Sequence, residues 1–187
     1  MIKLVARPTE RAHQLIRQHV EAGDHVVDAT LGNGHDTLFL AELVGKKGRV
    51  DGFDIQGAAI QSAQQKLHDR DFDRVHLHHV GHEKISDQVQ TPIQAVMFNL
   101  GYLPGGDKQV ITQAQTTLQA LRSALDLLLP NGIVTIVAYI GHAGGSEEAD
   151  AILTFCQTLK SDQFTVTQHR SASDNAKAPF LITIVRG

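Results

Sequence analysis

The stretch Val26-Val27-Asp28-Ala29-Thr30-Leu31-Gly32-Asn33-Gly34-His35-Asp36-Thr37 constrains this chain more than any other. It reads as a short apolar strand, a glycine-rich turn and the start of a helix. Gly32 and Gly34 lack a Cβ, so the backbone there can take positive φ and a ligand can approach the main chain closely. About twenty residues further on, a second apolar segment, 48–54, ends on Asp54. In a βαβ unit an acid at that place meets the two hydroxyls of a ribose. Neither signal is specific alone, and together they point to a nucleoside-containing cofactor.

Departures from the dinucleotide pattern narrow the choice. That pattern needs a third small residue where helix packs on strand, and it seats a pyrophosphate on the helix N-terminus. Thr37 stands in the small residue's place, and Asp36, in the first helical turn, would meet a pyrophosphate as a like charge. A sulfonium and an α-amino group are cations and would be attracted to it. The chemistry favours S-adenosylmethionine over a nicotinamide dinucleotide.

A length of 187 residues suits one domain, 1–187, with a substantial core. No apolar run approaches the roughly 20 residues of a membrane span, and the N-terminal stretch lacks the apolar core of a signal peptide, so a cytoplasmic protein without a membrane partner is expected. The single cysteine, Cys156, sits among Ile152, Leu153, Phe155 and Leu159, which points to packing rather than nucleophilic use. A net charge of −3 argues against a broadly basic nucleic-acid surface, although Arg7, Arg11 and Arg17, or Lys46, Lys47 and Arg49, could form a local patch. Eleven histidines include the cluster His76, His78, His79 and His82, but no cysteine or glutamate completes a familiar zinc spacing, and no metal is expected.

Hydrophobic periodicity orders the rest. Helices are expected over 9–20, 37–44, 57–67, 108–128 and 146–159, and strands over 25–29, 48–54, 75–80, 95–99, 133–139, 164–168 and 180–185, with Pro130-Asn131-Gly132 read as a turn. The segment Ala95-Val96-Met97-Phe98-Asn99 is apolar until its last residue, as suits an interior strand covered on both faces. Alternating elements closing on two strands without an intervening helix predict an α/β fold: a Rossmann-like, doubly wound, seven-stranded, mostly parallel sheet with a terminal antiparallel strand.

These residues carry a resemblance to the class I S-adenosylmethionine-dependent methyltransferases along the whole chain. More narrowly, Asp28-Ala-Thr-Leu-Gly-Asn-Gly-His-Asp-Thr37, Asn99-Leu-Gly-Tyr-Leu-Pro-Gly-Gly-Asp107 and Tyr139-Ile-Gly-His-Ala-Gly-Gly145 resemble the small bacterial family first labelled ribosomal RNA methylases. That family is now associated with methylating the aminomethyl group of the wobble (2-thio)uridine of transfer RNA. The resemblance implies that Asp28, Gly32, Asn33, Gly34, Asp36, Gln56, His82 and Asn99 surround the cofactor and that Asp54 holds its ribose. Residues 99–104 are also similar to the Asn-Pro-Pro-Tyr loop of amino-group methyltransferases, with Leu100-Gly101 in place of the two prolines.

The implied reaction is attack of a neutral amine nitrogen on a sulfonium methyl. The protein's task is then to align the two and exclude water. Asn99 cannot be a base, yet its carbonyl oxygen can orient an N–H; Tyr102 can stack on a presented base. Asp36, His142 and solvent remain open as proton acceptors, and Asn99, Tyr102 and His142 are the catalytic candidates. With nearly every segment assigned to the core, a homodimer is expected to supply the surface for a transfer RNA anticodon loop. A ribosomal RNA or small-amine methyltransferase, a nicotinamide oxidoreductase and a non-catalytic nucleotide-binding protein are the other classes that stay in view.

Overall fold

The parallel strand ladders run through a computed structural model that describes every residue except 1, 6, 69, 71, 107, 108, 172–174 and 176. In chain order the elements are β1 (Ile2–Val5), α1 (Pro8–His19), β2 (His25–Asp28), α2 (His35–Val44), β3 (Arg49–Phe53), α3 (Gly57–Leu67), β4 (Val75–His78), α4 (Ile85–Gln88), β5 (Ile93–Asn99), α5 (Ala114–Leu127), β6 (Leu128–Ala138), α6 (Gly145–Gln157), β7 (Phe164–Ser171) and β8 (Phe180–Arg186). One sheet takes the order β1-β7-β8-β6-β5-β2-β3-β4. Strand β8 alone runs antiparallel to its neighbours β6 and β7.

Side-chain alternation divides the interior in two. Val26 of β2 and Ala95 and Met97 of β5 pack with Ala12 and Ile16 of α1 and Leu40 and Ala41 of α2. Their strand neighbours Val27, Val96 and Phe98 pack on the opposite face with Leu121 and Ala124 of α5 and Ile152 of α6. Covering on both faces is why β5 reads as a continuous apolar run. Cys156 belongs to the second core, and burial pushes its thiol up to about 11, which leaves it a packing group.

The seven expected strands and the closing hairpin are present, with the short unexpected helix α4 and three further differences. Strand β1 is an eighth, pairing parallel to β7 from Ile2↔Gln168 to Val5↔Ser171; four residues at an edge are too few to register as a periodicity. Pro130-Asn131-Gly132 does not precede a strand but bulges within β6: the ladder with β5 passes from Ile93↔Leu128 to Ala95↔Ile133, and Asn131 keeps a turn residue's φ of 62°. Helix α5 begins at Ala114 rather than near 108, because Ile111 bridges to Tyr102 and the Thr112 amide donates to the Gly101 carbonyl at 2.9 Å. Asp107 and Lys108 lie outside the described residues.

The histidines disperse. His78 and His25 both reach Asp51, at 2.7 and 2.6 Å, where Arg49 Nε also donates at 2.7 Å; His79 bonds the Ile55 carbonyl at 3.0 Å. Arg49 is thereby drawn out of any basic patch, and Arg17 lies over the Phe39 ring. Burial alone would raise the Asp51 carboxyl, but the bonds from His25, His78 and Arg49 hold it well below the usual carboxylate range. A depressed acid stabilises the fold above its unfolded value, about 3.9, and that contribution is lost as pH falls. Asp51→Ala is therefore expected to lower stability by about 3 kcal/mol at neutral pH, as for a broken buried ion pair. Urea unfolding should show the difference from wild type shrinking below about pH 4.

Candidate active site

The sheet reverses its winding between β2 and β5, which are adjacent although the chain visits β3 and β4 between them. A crevice opens at the carboxyl ends of such strands. Here it is a cleft of about 730 Å³, lined by the turn after β2, residues 53–56 after β3, 81–83 after β4, the loop after β5, and Tyr139, Gly141 and His142 after β6.

Asp54 ties two walls together. Its Oδ2 accepts the Gly32 amide at 3.0 Å and its Oδ1 the Gln56 amide at 2.8 Å. A carboxylate has further lone pairs, so these bonds fix its place and leave acceptor capacity for paired hydroxyls. Exposed Ile55 gives the same wall an apolar rim. Opposite, Asn33 Nδ2 donates to the Pro104 carbonyl at 3.2 Å and joins the glycine turn to the loop after β5.

Asn99, the last residue of β5, stands where these loops meet. Its amide N–H donates to Thr30 Oγ1 at 2.7 Å, and its Nδ2 to Asp36 Oδ2 at 3.4 Å. An ionised carboxylate only accepts, so it is the side-chain nitrogen that turns toward Asp36. Oδ1 is left buried with no partner among the described residues. An orphaned acceptor at a cleft's floor suits a donor N–H brought by a ligand. The other Asp36 oxygen, Oδ1, lies 2.7 Å from His13 Nε2. Burial, followed by the nearby Asp36 charge, raises the Tyr139 phenol, which keeps a neutral ring beside Asp36.

His82 is buried; its Nδ1–H donates to the Ala29 carbonyl at 3.1 Å, and Nε2 lies 3.4 Å from Thr117 Oγ1. Burial lowers its basicity ahead of the opposing effects of the Ala29 carbonyl and Glu83. Thr117 and Thr112 both donate to the buried Glu148 carboxylate, at 2.6 and 2.7 Å, and Thr112 Oγ1 accepts the Gly101 amide at 3.0 Å. His142 Nδ1 bonds the Ala143 carbonyl, so the neutral ring carries its lone pair on Nε2, 6.1 Å from ring centre to ring centre of half-exposed Tyr102 in an edge-on arrangement.

Of the residues picked out by sequence, Gly32, Asn33, Asp36, Asp54, Gln56, His82, Asn99, Tyr102 and His142 come together on the cleft. Asp28 and Gly34 do not. Asp28 is fully buried beneath the turn, accepting from Thr37 Oγ1 at 2.6 Å and the Thr30 amide at 3.1 Å. Gly34, at φ 76°, caps α2, and a Cβ there would stand 2.8 Å from Ala63 of α3; it serves helix packing. His13, Thr30, Thr112, Thr117 and Glu148 were not singled out. Thr30 lay within the first motif, whereas the rest are ordinary polar residues of helices or loops until the fold brings them in.

The family model described as "Putative rRNA methylase" matches residues 50–185. The chain belongs to that family, within the class I S-adenosylmethionine-dependent methyltransferases. It is 41% identical over 160 residues to a chloroplastic tRNA (mnm5s2U34)-methyltransferase of Arabidopsis thaliana; the match takes in 80% of this chain and 58% of that protein, so the chain spans a little over half of that relative's length. A crystal structure of a "putative rRNA-methylase" from Clostridium thermocellum superposes with a TM-score of 0.94 at 42% identity, covering 98% of this chain and all of that one. A "putative methyltransferase" of Streptococcus mutans, solved with S-adenosylhomocysteine, gives 0.89 at 36% identity over 98% and 100%. Among the described residues no helix is long and apolar enough to cross a membrane.

Burial, then the Asp36 charge, raises the Asp28 carboxyl to about 7. A raised acid stabilises the fold below its unfolded value, about 3.9, and that contribution is gone once pH has risen through the folded value. Asp28→Asn does not titrate; its carbonyl oxygen can keep the Thr30 bond while its NH2 donates to Thr37 Oγ1 in the reversed sense. Stability of wild type minus that of the variant, from urea unfolding, is expected to fall as pH rises from about 5 to about 7.5.

Proposed function

We propose that this family member methylates an amine on transfer RNA, namely the 5-aminomethyl group of the wobble (2-thio)uridine. The observation that carries the reading is Asn99 Oδ1, an unpartnered acceptor whose amide orientation Asp36 fixes. The Arabidopsis relative supports the substrate. The residues fit S-adenosylmethionine: Asp54 offers lone pairs to its ribose hydroxyls, Asn33, Gln56 and His82 line the wall around it, and Asp36 attracts its cationic groups. When bound, it supplies an electrophilic methyl group whose C–S bonding pair stays with sulfur as the acceptor nitrogen takes the carbon.

The chain's own residues do the rest. Asn99 Oδ1 accepts an N–H of the amine and leaves the nitrogen lone pair free to be aimed. An alkylammonium has no lone pair, so one proton leaves first, with Asp36, His142 Nε2 and solvent within the cleft as acceptors. Tyr102, half-exposed at the mouth, stacks on the presented base. The cleft can hold little of a transfer RNA beyond that base, so a cytoplasmic homodimer supplies the surface for the rest of the anticodon loop.

Labelled S-adenosylmethionine and transfer RNA from cells lacking this protein provide the test. Nucleoside mass analysis should show methylaminomethyl uridine gained at the expense of its aminomethyl precursor; incorporation into ribosomal RNA or a small amine alone would overturn the substrate. Asn99→Ala is expected to lower kcat by about 100-fold, with cofactor affinity changed far less. Light scattering should give twice the 20.4 kDa chain mass.

A further inference from the structure

We propose that His13, on α1, is a positioning residue for methyl transfer that acts through Asp36 on Asn99; this rests on reading the cleft as an amine methylation site. His13 lies outside all three motifs, 23 residues before Asp36, yet its Nε2 stands 2.7 Å from Asp36 Oδ1. The ring does not hang free. It stacks on Phe39 with centroids 4.0 Å apart and an 8° tilt, one turn along α2 from Asp36. Stacking sets the plane of the imidazole, and the acceptor-only carboxylate sets which nitrogen carries the proton toward it.

The consequence passes to Asn99. A carboxylate free to rotate offers either oxygen, in two directions, to a neighbouring amide. With Oδ1 engaged by His13, Asp36 presents Oδ2 to Asn99 Nδ2, and the amide is held with its carbonyl oxygen unpartnered. The Asn99 contact, at 3.4 Å, is long for a hydrogen bond, so its direction depends on how firmly the carboxylate is held. The pair is also well sheltered, with side-chain exposures of 28% and 16%, so solvent screens it only in part. Helix α1 thus contributes to the chemistry without touching the acceptor.

The full chain carrying His13→Ala or His13→Gln tests this, since a glutamine amide can donate to Asp36 where alanine cannot. With transfer RNA as substrate, His13→Ala is expected to lose about 10-fold to 100-fold in kcat, with KM for the RNA and calorimetric affinity for S-adenosylmethionine within about threefold of wild type, and His13→Gln to regain most of the loss. Unchanged kcat in a folded His13→Ala protein, or equal impairment of the two variants, would overturn the proposal. A second readout needs no turnover: the Asn99 side-chain NH2 pair, assigned by its absence in Asn99→Ser, should appear as an ordered, dispersed pair in 1H–15N spectra of wild type and His13→Gln, and should collapse toward free-amide positions in His13→Ala. If wild type transfers no methyl to transfer RNA, the functional reading fails, and the amide spectra alone still decide whether His13 positions Asn99.

Discussion

The structure depends on the seating of β2 between β3 and β5, in parallel ladders on both sides. Once the chain has gone outward through β3 and β4 it must return across β2 to place β5, and the helices on the two routes cover opposite faces. Their divergence leaves a crevice at the strands' carboxyl ends. Asp54 and Asn99 each end or follow a strand there, so their positions are inherited from backbone ladders rather than from flexible loops.

Buried charge is handled differently on each strand. Asp51 of β3 is compensated by donors from three side chains, Arg49 through two nitrogens, and stays ionised. Among the described residues Asp28 of β2 has only neutral donors, with a like charge nearby, so burial favours its protonated form near neutrality. Glu148 accepts two threonine hydroxyls and, through Thr112, steadies the Gly101 backbone at the cleft. Asp28 and Glu148 thereby hold the loops that line the cleft.

The fold was legible because its signals are local. The glycine turn, the acid after β3 and the apolar β5 each occupy a few residues whose backbone preference and burial agree, and the closing pair of strands reads from periodicity alone. Where the reading erred, a long-range contact had overruled a local one. Helix α5 starts late because residues 111 and 112 bond to Tyr102 and Gly101, and the 130–132 turn became a bulge because β5 pairs on either side of it. Gly34 and Asp28 lie off the cleft lining: one admits Ala63, the other anchors Thr37.

The sequence by itself determined seven of the eight strands with the helices that alternate with them, and it pointed to the glycine turn, Asp54, Asn99 and Tyr102 as candidates, since spacing and side-chain chemistry require no partner to be read. Tertiary structure alone decided which polar residues share a site. His13, Asp36 and Asn99 come from two helices and a strand separated by tens of residues, and only the docking of α1 and α2 against the sheet brings an imidazole to a carboxylate and that carboxylate to an amide. Hydrogen bonds act over about 3 Å, and no one-dimensional spacing encodes such a distance until the chain has folded.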